Sequence, residues 1–504
     1  MQNLEMSLRD LGRSILFGPG KFVVPAIGYA LLYPIILSVS GQKVLGLWSL
    51  LSGFLSGLAL IDLGFSGYLK KYASAEHDPY LRRQVCCTVS AASARVYLVS
   101  AIFLLAVIAA AIVVEPHWTE SVSQNYSISG FWFSVIICLC TSIVQLHTKL
   151  IGAALASEGL NYHQEFVAGI SPLVTFPIAL AGATIGVPLE GLTVGYFSAA
   201  CVSNTLLARV MSNRMKLTGR KLFFGESVNW NDVRTLWVAS KQFYFVSVGF
   251  AIRDPALRFV SASVAGLEIT GWIDIAMRLT AMVRNIISSG TAVLFPIVSR
   301  LSSAGDRESI RAISEVSLGY LLTYVTSAEL LLVVGQAEIY QLWLGSHSDV
   351  LLEATLAFSL WNIFVAANVP FWHMLLASGK EGYAALALWL HTAIVLCLIP
   401  ASYLSTIGPH QIFAWWIIGA LLTQIGIYQI VQSQFGILSQ VLRQGKLMLL
   451  LCSCVIVSIV VYWRAIESRG SWSLFDGAGL VLVAALMVFG TFVTYSSWRS
   501  VKSG

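Results

Sequence analysis

Apolar stretches of about twenty residues recur along this 504-residue chain, and they constrain its fold more than any other feature. A helix needs about twenty such residues to cross a hydrocarbon core of about 30 Å. About fourteen runs are legible, near 16–40, 44–68, 91–114, 129–149, 166–187, 190–210, 240–262, 269–297, 313–335, 350–376, 382–404, 411–433, 446–463 and 477–498. Only 11% of the residues are charged, whereas soluble domains carry about 25%. Backbone groups in lipid must bond to one another. The sequence therefore predicts an all-α polytopic membrane protein with about 14 transmembrane helices.

The net charge of +6 matters through its placement. With the N-terminus inside, the cytoplasmic segments collect nearly all loop lysines and arginines, among them Lys70, Lys71, Arg82, Arg83, Arg220, Lys221 and Arg307. The outside segments carry only Lys43, Arg464 and Arg469. Positive residues stay inside, so both termini are expected in the cytoplasm. Residues 1–21 read as a short cytoplasmic amphipathic lead and lack the small-residue cleavage site of a signal peptide.

Against this apolar background the stretch 241–300 is unusual. It reads as two helices joined by a turn at SASVAGLEITG, and the helices carry Arg253, Asp254, Arg258, Asp274, Arg278 and Arg284. A charge at mid-membrane costs from roughly 2.5 to over 10 kcal/mol, so these arginines are expected to face a wet cavity, and a cationic cavity suits an anionic cargo. At 1.5 Å per residue Arg253 and Arg284 fall roughly 18 Å from the cytoplasmic end, and Arg258 and Arg278 roughly 25 Å. Asp254/Arg258 and Asp274/Arg278 have the i,i+4 spacing of intrahelical ion pairs, whereas Arg253 and Arg284 are expected to have no local acidic partner. Structural salt bridging between helices is the alternative role for all four. Asp274, Arg278, Asn285 and Ser288 share one helical stripe. Substrate-binding candidates are thus Arg253, Arg284, Arg258, Arg278 and Asn285, and ion-coupling candidates are Asp254, Asp274 and Glu329.

Other polar features are quieter. Ser49, Gly53 and Gly57 at i,i+4,i+8 make a small-residue stripe of the kind that lets helices approach closely. Pro25 and Pro34 accompany Tyr29 and Tyr33 in the first run. The eight cysteines form no CxxC; Cys138/Cys140 and Cys452/Cys454 are i,i+2, so each pair points apart. They read as apolar filler, and no metal site, catalytic residue or cofactor is expected. Asn125-Tyr-Ser127 is a lone glycosylation sequon on an outside loop.

The chain contains an internal echo. GQKVLGLW at 41–48 is matched by GLEITGW at 266–272, and each helix pair closes on a similar phrase, YASAEHD ending at Asp78 and LSSAGD ending at Asp306. Matching phrases at matching topological positions predict two six-helix lobes related by a pseudo-two-fold along the membrane normal. The division expected is an N-terminal lobe at 1–215, a cytoplasmic linker at 216–239, a C-terminal lobe at 240–435, and two extra helices at 436–504.

LGLWSLLSGFLSGLALIDLGFSGYLKKYASAEHD resembles the opening helices of the polysaccharide flippases, the O-antigen type of oligosaccharide exporter. Their superfamily also holds multidrug and toxin extrusion transporters and lipid II flippases. DPALRFVSASVAGLEITGWIDIAMRL, FPIVSRLSSAGDRE and IYQLWLG resemble the second half of the same family, and the likeness rests on spaced glycines with Asp62, Pro296 and Trp343. It implies a V-shaped bundle of twelve to fourteen helices that alternates access, moving a lipid-pyrophosphate-linked oligosaccharide past cavity arginines. Unlike the lipid II branch, this chain has no arginine within its first two runs. The resemblance implies an undecaprenyl-pyrophosphate-type substrate, membrane lipids and neighbouring polymerase and glycosyltransferase enzymes as partners, with no nucleic acid.

The chemistry suits that cargo. Arginine grips a pyrophosphate bidentately and stays charged. Asn285, Asn362, Asn368, Trp372 and His373 are candidates to meet the glycan. The alternative is an ion-coupled exporter of drugs or other amphiphiles, which would use a buried carboxylate such as Glu329. An enzyme is not expected: there is no DxD motif, no sizeable outside domain, and no P-loop.

Overall fold

The computed structural model describes residues 20–57, 64–69, 80–97, 126–215, 229–289, 298, 301, 306–404 and 409–435, apart from 82 and 159. Asp62, Pro296, Asn125, Cys452, Cys454, the run 477–498, the phrase at 72–78 and the third run beyond residue 97 lie outside these residues. Among them the principal helices are α1 (Gly20–Gly57), α2 (Ile128–Ser157), α3 (Asn161–Ile170), α4 (Pro172–Thr184), α5 (Pro188–Met215), α6 (Trp230–Ser288), α7 (Arg307–Val334), α8 (Gln336–Leu344), α9 (Asp349–Ala377), α10 (Glu381–Leu404) and α11 (Pro409–Phe435). Residues 83–97 are helical as well.

Eight of the described helical stretches are long and apolar enough to cross a membrane, and Glu381–Cys397 is a shorter apolar helix. The chain is a multi-pass, all-helical membrane protein. α3 and α4 together make one of those stretches, Tyr162–Thr184. They part at Ser171-Pro172, where proline supplies no backbone donor and opens the second piece.

Two long helices are each broken by one glycine. Gly41 divides α1 at φ 74, ψ 176, and Gly266 divides α6 at φ 84, ψ 172. Residues with a Cβ avoid that region, so one glycine at each place lets the chain change direction with no loop. The eleven-residue turn expected at 261–271 is therefore a single-residue break inside helix. α6 also starts at Trp230, taking up the last ten residues of the stretch read as linker. The cause is apolar anchoring: Val233 is buried in a cluster with Phe65, Leu69, Leu150, Leu207 and Met211, and Leu236 packs against it.

The chain divides into two compact units, Met1–Asp274 and Ile275–Gly504. The first is assembled on glycines. Gly182 and Gly191 meet backbone to backbone where α4 crosses α5, and a Cβ at Gly195 would stand 2.7 Å from the Thr175 carbonyl oxygen. The two glycine breaks also face each other within this unit. A side chain at Gly46 would collide with the Leu267 carbonyl, and one at Gly271 would stand 2.9 Å from the Gln42 carbonyl oxygen. Under the internal echo Gln42 corresponds to Leu267 and Gly46 to Gly271, so the contact is reciprocal. With its amide oriented to suit its neighbours, Gln42 donates to Glu268 Oε1 at 2.8 Å and accepts from Trp272 Nε1 at 2.9 Å.

The second unit packs α7, α9, α10 and α11 around Ile310, Leu318, Leu322, Phe371, Met374, Ala384, Ile427 and Val431. Two of its helices, α7 and α9, begin on side-chain caps. Asp306 Oδ1 accepts from the Ser309 amide at 3.0 Å, and Ser348 Oγ accepts from the Leu351 amide at 3.2 Å, which satisfies donors that a helix start leaves open. Gly345 ends α8 in the left-handed conformation.

Candidate functional site: two arginine clusters

The boundary between the units falls inside the second arm of α6. Arg253, Asp254, Arg258 and Asp274 belong to the first unit, and Arg278, Arg284, Asn285 and Glu329 to the second.

In the first unit Arg258 crosses from one arm of α6 to the other. Its Nη2 lies 3.2 Å and its Nε 3.3 Å from Asp274 Oδ1, with both side chains almost fully enclosed. The Tyr33 hydroxyl from α1 donates to Asp274 Oδ2 at 3.3 Å. Gly53 leaves space for the arginine stem: a Cβ there would stand 3.2 Å from Arg258 Cδ. The small-residue stripe thus serves packing, with Gly53 set against Pro255 and Arg258. The carboxylate is gripped by a guanidinium and a phenol together, the extra bonding that a buried ion pair needs.

Arg253 departs from expectation. Its Nε donates to Asp254 Oδ1 at 2.8 Å, so it has an acidic partner next door. The i,i+4 rule overlooked it because a long, forked side chain can fold back onto an adjacent carboxylate. The arginine side chain is 6% exposed and the aspartate 33%. Asp254 and Asp274 are therefore each engaged by an arginine, with Asp274 served across the break rather than only along its own arm.

In the second unit Arg284 is held differently. Its Nη1 donates to Asn362 Oδ1 at 2.9 Å, while its Nη2 and Nε donate to Asn285 Oδ1 at 2.9 and 3.2 Å. Its guanidinium carbon lies 5.3 Å from the Trp361 ring centre, a cation–π distance. These groups are neutral and orient the guanidinium, and the Glu329 carboxyl also lies near it. Trp361 is fixed in turn by Trp416 and His391, at ring separations of 5.3 and 6.5 Å. Arg284 and Asn285 are half-buried, as is Arg278. The sequence reading named Arg284, Asn285 and Asn362 but missed Trp361, Ser359 and His391. The signal for the first two was present: Trp361 adjoins Asn362, and Ser359 precedes it by three residues, on the same helical face.

Glu329 lies on α7 at 0% exposure, and neither of its oxygens has a hydrogen-bond partner. The groups beside it are Ser359, Arg284 and Asn362. Of the remaining glycan candidates, Trp372 packs against the apolar cluster of the second unit, which is core packing. Asn368 and His373 sit half-buried on α9 near its internal Pro370. Cys138 is buried and Cys140 exposed, so that pair does point apart. Among the described residues no three His, Cys, Asp or Glu side chains are grouped to hold a metal ion.

No family model matches the sequence, and no curated protein matches it. Solved structures do match. An inward-facing multidrug resistance MATE family transporter of the MOP superfamily is 12% identical with a TM-score of 0.61, covering 84% of this chain and 99% of that one. The lipid II flippase MurJ in an inward closed conformation is 10% identical with a TM-score of 0.62, covering 98% of this chain and 99% of that one. A MOP superfamily transporter from Pyrococcus furiosus, for which a binding pocket of reverse polarity suggests a different function, is 13% identical with a TM-score of 0.56, covering 86% and 97%. At such identities the likeness is one of architecture: the chain has the fold of the MOP superfamily transporters.

Proposed function

We propose that this protein is a flippase that carries a polyprenyl-pyrophosphate-linked oligosaccharide, such as an O-antigen or exopolysaccharide repeat unit, across the bacterial inner membrane. The observation that carries this reading is the aimed guanidinium of Arg284, presented on an apolar span by Asn285, Asn362 and Trp361. A preset planar cation suits a pyrophosphate, whose oxygens take parallel N–H bonds. A guanidinium already oriented loses little freedom on binding. Arg253 and Arg278 are the further arginines offered to the head group. Arg258 is given to structure, because Asp274, itself braced by Tyr33, occupies it. The similar structures include a lipid II flippase, and lipid II is a cargo of the same chemical kind.

Translocation proceeds by alternating access, with the polyprenyl tail remaining in lipid while the head crosses. Both termini lie in the cytoplasm. The enzymes that build and polymerise the repeat unit supply the substrate and remove the product. The decisive experiment reconstitutes the full chain with a fluorescent polyprenyl-pyrophosphate oligosaccharide and scores the leaflet it occupies. Arg284→Ala should abolish transfer and Arg284→Lys should restore part of it. Normal transfer by a stable Arg253→Ala/Arg284→Ala protein would overturn the reading.

The second reading is an ion-coupled exporter of drugs or other amphiphiles. Its supporting observation is the buried carboxylate of Glu329, the kind of group that receives a cationic cargo, and MATE transporters share the fold. Cationic dyes competing for transport, with no effect from pyrophosphate lipids, would favour it.

A further inference from the structure

Four buried polar atoms of the second unit converge on one place with no hydrogen bond made: both carboxyl oxygens of Glu329, Ser359 Oγ and Asn362 Nδ2. Glu329 and Asn362 are 0% exposed and Ser359 2%. Two donors, a hydroxyl and an amide, thus stand within reach of one carboxyl group. A buried negative charge without bonds is costly, and a bound proton removes that cost. Asn362 has a second engagement, since its Oδ1 already accepts from Arg284 Nη1 at 2.9 Å. One amide side chain therefore touches the arginine with its oxygen and turns its unbonded nitrogen to the site of the carboxyl.

We propose that Glu329 is a proton-binding site that governs Arg284 through Asn362. When the proton is bound, the carboxyl is neutral and Arg284 is presented to an anionic head group by its neutral partners. When the proton leaves for water, the carboxylate accepts from Ser359 and Asn362 and draws the guanidinium towards itself, in competition with the incoming anion. Only the proton is exchanged; no other covalent bond changes. Binding of the anion and binding of the proton then favour each other, as linkage requires. The inference rests on Arg284 being the anion-binding residue, and it adds what regulates that residue.

The surroundings leave Glu329 as the responsive group. The packed elements contribute Arg284 from α6 and the neutral Ser359 and Asn362 from α9. On α8 the acidic residue is Glu338, which is exposed. On α7 itself the other charged residues, Arg307, Glu308, Arg311 and Glu315, stand at least 14 residues away, roughly 21 Å along the axis. On α9 the acidic residues Asp349 and Glu353 lie in the first turns, before Ser359. His391 of α10 reaches the cluster only by packing edge-on against Trp361. Asp254 and Asp274, the other coupling candidates, are already bonded to arginines.

The test measures binding of geranylgeranyl pyrophosphate to the full chain in lipid nanodiscs, with proton uptake followed by an indicator dye between about pH 5 and pH 8. Wild type should take up about one proton per ligand bound at the alkaline end and lose roughly tenfold in affinity there beyond the ligand's own titration. Glu329→Gln, a near-isosteric neutral mimic, should bind at alkaline pH as wild type does at acidic pH, with no proton uptake. Asn362→Ala should bind weakly and without the extra pH dependence. An infrared carboxylic-acid band that titrates in wild type should vanish in Glu329→Gln, a readout that needs no ligand. Identical proton uptake and pH dependence in Glu329→Gln would overturn the proposal while leaving Arg284 as the anion site. Absence of pyrophosphate binding in wild type at every pH would overturn the anion reading and this inference with it.

Discussion

Arg258 and Arg284 lie on the same long helix, 26 residues apart, yet the protein treats them in opposite ways. Arg258 is walled in, and its charge is met by Asp274 with a phenol from Tyr33 bracing the carboxylate. Arg284 is half-open and steadied by amide oxygens and an indole face. A cation matched to an anion is electrically spent and serves to tie the arms of α6 together. A cation steadied by dipoles keeps its charge for something else. In a membrane span, where charge is expensive, the partner's chemistry separates scaffold from site better than burial or spacing does.

The largest expected effect comes from breaking the matched pair. Asp274→Ala strands Arg258 in an enclosed place and should cost about 3–5 kcal/mol, read as lost folded yield and a lowered melting temperature in detergent. Replacing both partners by apolar residues of similar volume should restore most of that stability. A stable, well-expressed Asp274→Ala protein would show that the pair is not structural.

Arg284→Ala should do the reverse. Loss of charged hydrogen bonds worth about 1.5–3 kcal/mol predicts a fall of about ten- to a hundredfold in head-group binding. Stability should move by less than about 1 kcal/mol. Equal losses of stability and binding would erase the distinction between the two arginines.

Intermediate in size is Gly266→Ala. A Cβ at φ 84, ψ 172 is strained by about 1–3 kcal/mol, so the melting temperature should fall with head-group affinity retained in whatever protein remains folded. Gly41→Ala, at φ 74, ψ 176, should behave alike, and a clear disparity between the two would mean that the breaks are not equivalent.

The smallest effect concerns the helix that carries Glu329. Asp306 caps α7, and bonds from the Ser309 side chain and amide hold its carboxyl below the ordinary value of 3.8. Its contribution is fully present above that value and drains away as pH falls through the lower folded value. Amide exchange in the first turn of α7 should therefore quicken only in that acidic window, and Asp306→Asn should cap the helix without that dependence.

The sequence made the spans legible because apolar length is a one-dimensional signal. α2, α5, α7, α9 and α11 fall where the runs predict. It also made Gly41 and Gly266 visible as corresponding places, though not that each alone would turn the chain. At the site, residue type pointed to Arg284 and Asn285, but partner choice was hidden. Nothing in the order of residues says that Asp274 would bond an arginine 16 positions earlier, or that Asn362 would reach one 78 positions earlier. Those pairings are set by how helices cross, which local periodicity does not encode. Arg253–Asp254 was hidden for another reason, since the i,i+4 spacing looks for partners one turn along the helix and passes over the adjacent residue.

The exchanged approach of Gly46 to Leu267 and of Gly271 to Gln42 has the form of an isologous interface, the surface by which two identical subunits meet across a dyad. A half-length ancestor bearing one such elbow would have offered a second copy of itself the same glycine and the same carbonyl. Fusion of two such copies would free each half to diverge, keeping a seam of that symmetry while letting an asparagine-steadied cation arise on one side alone.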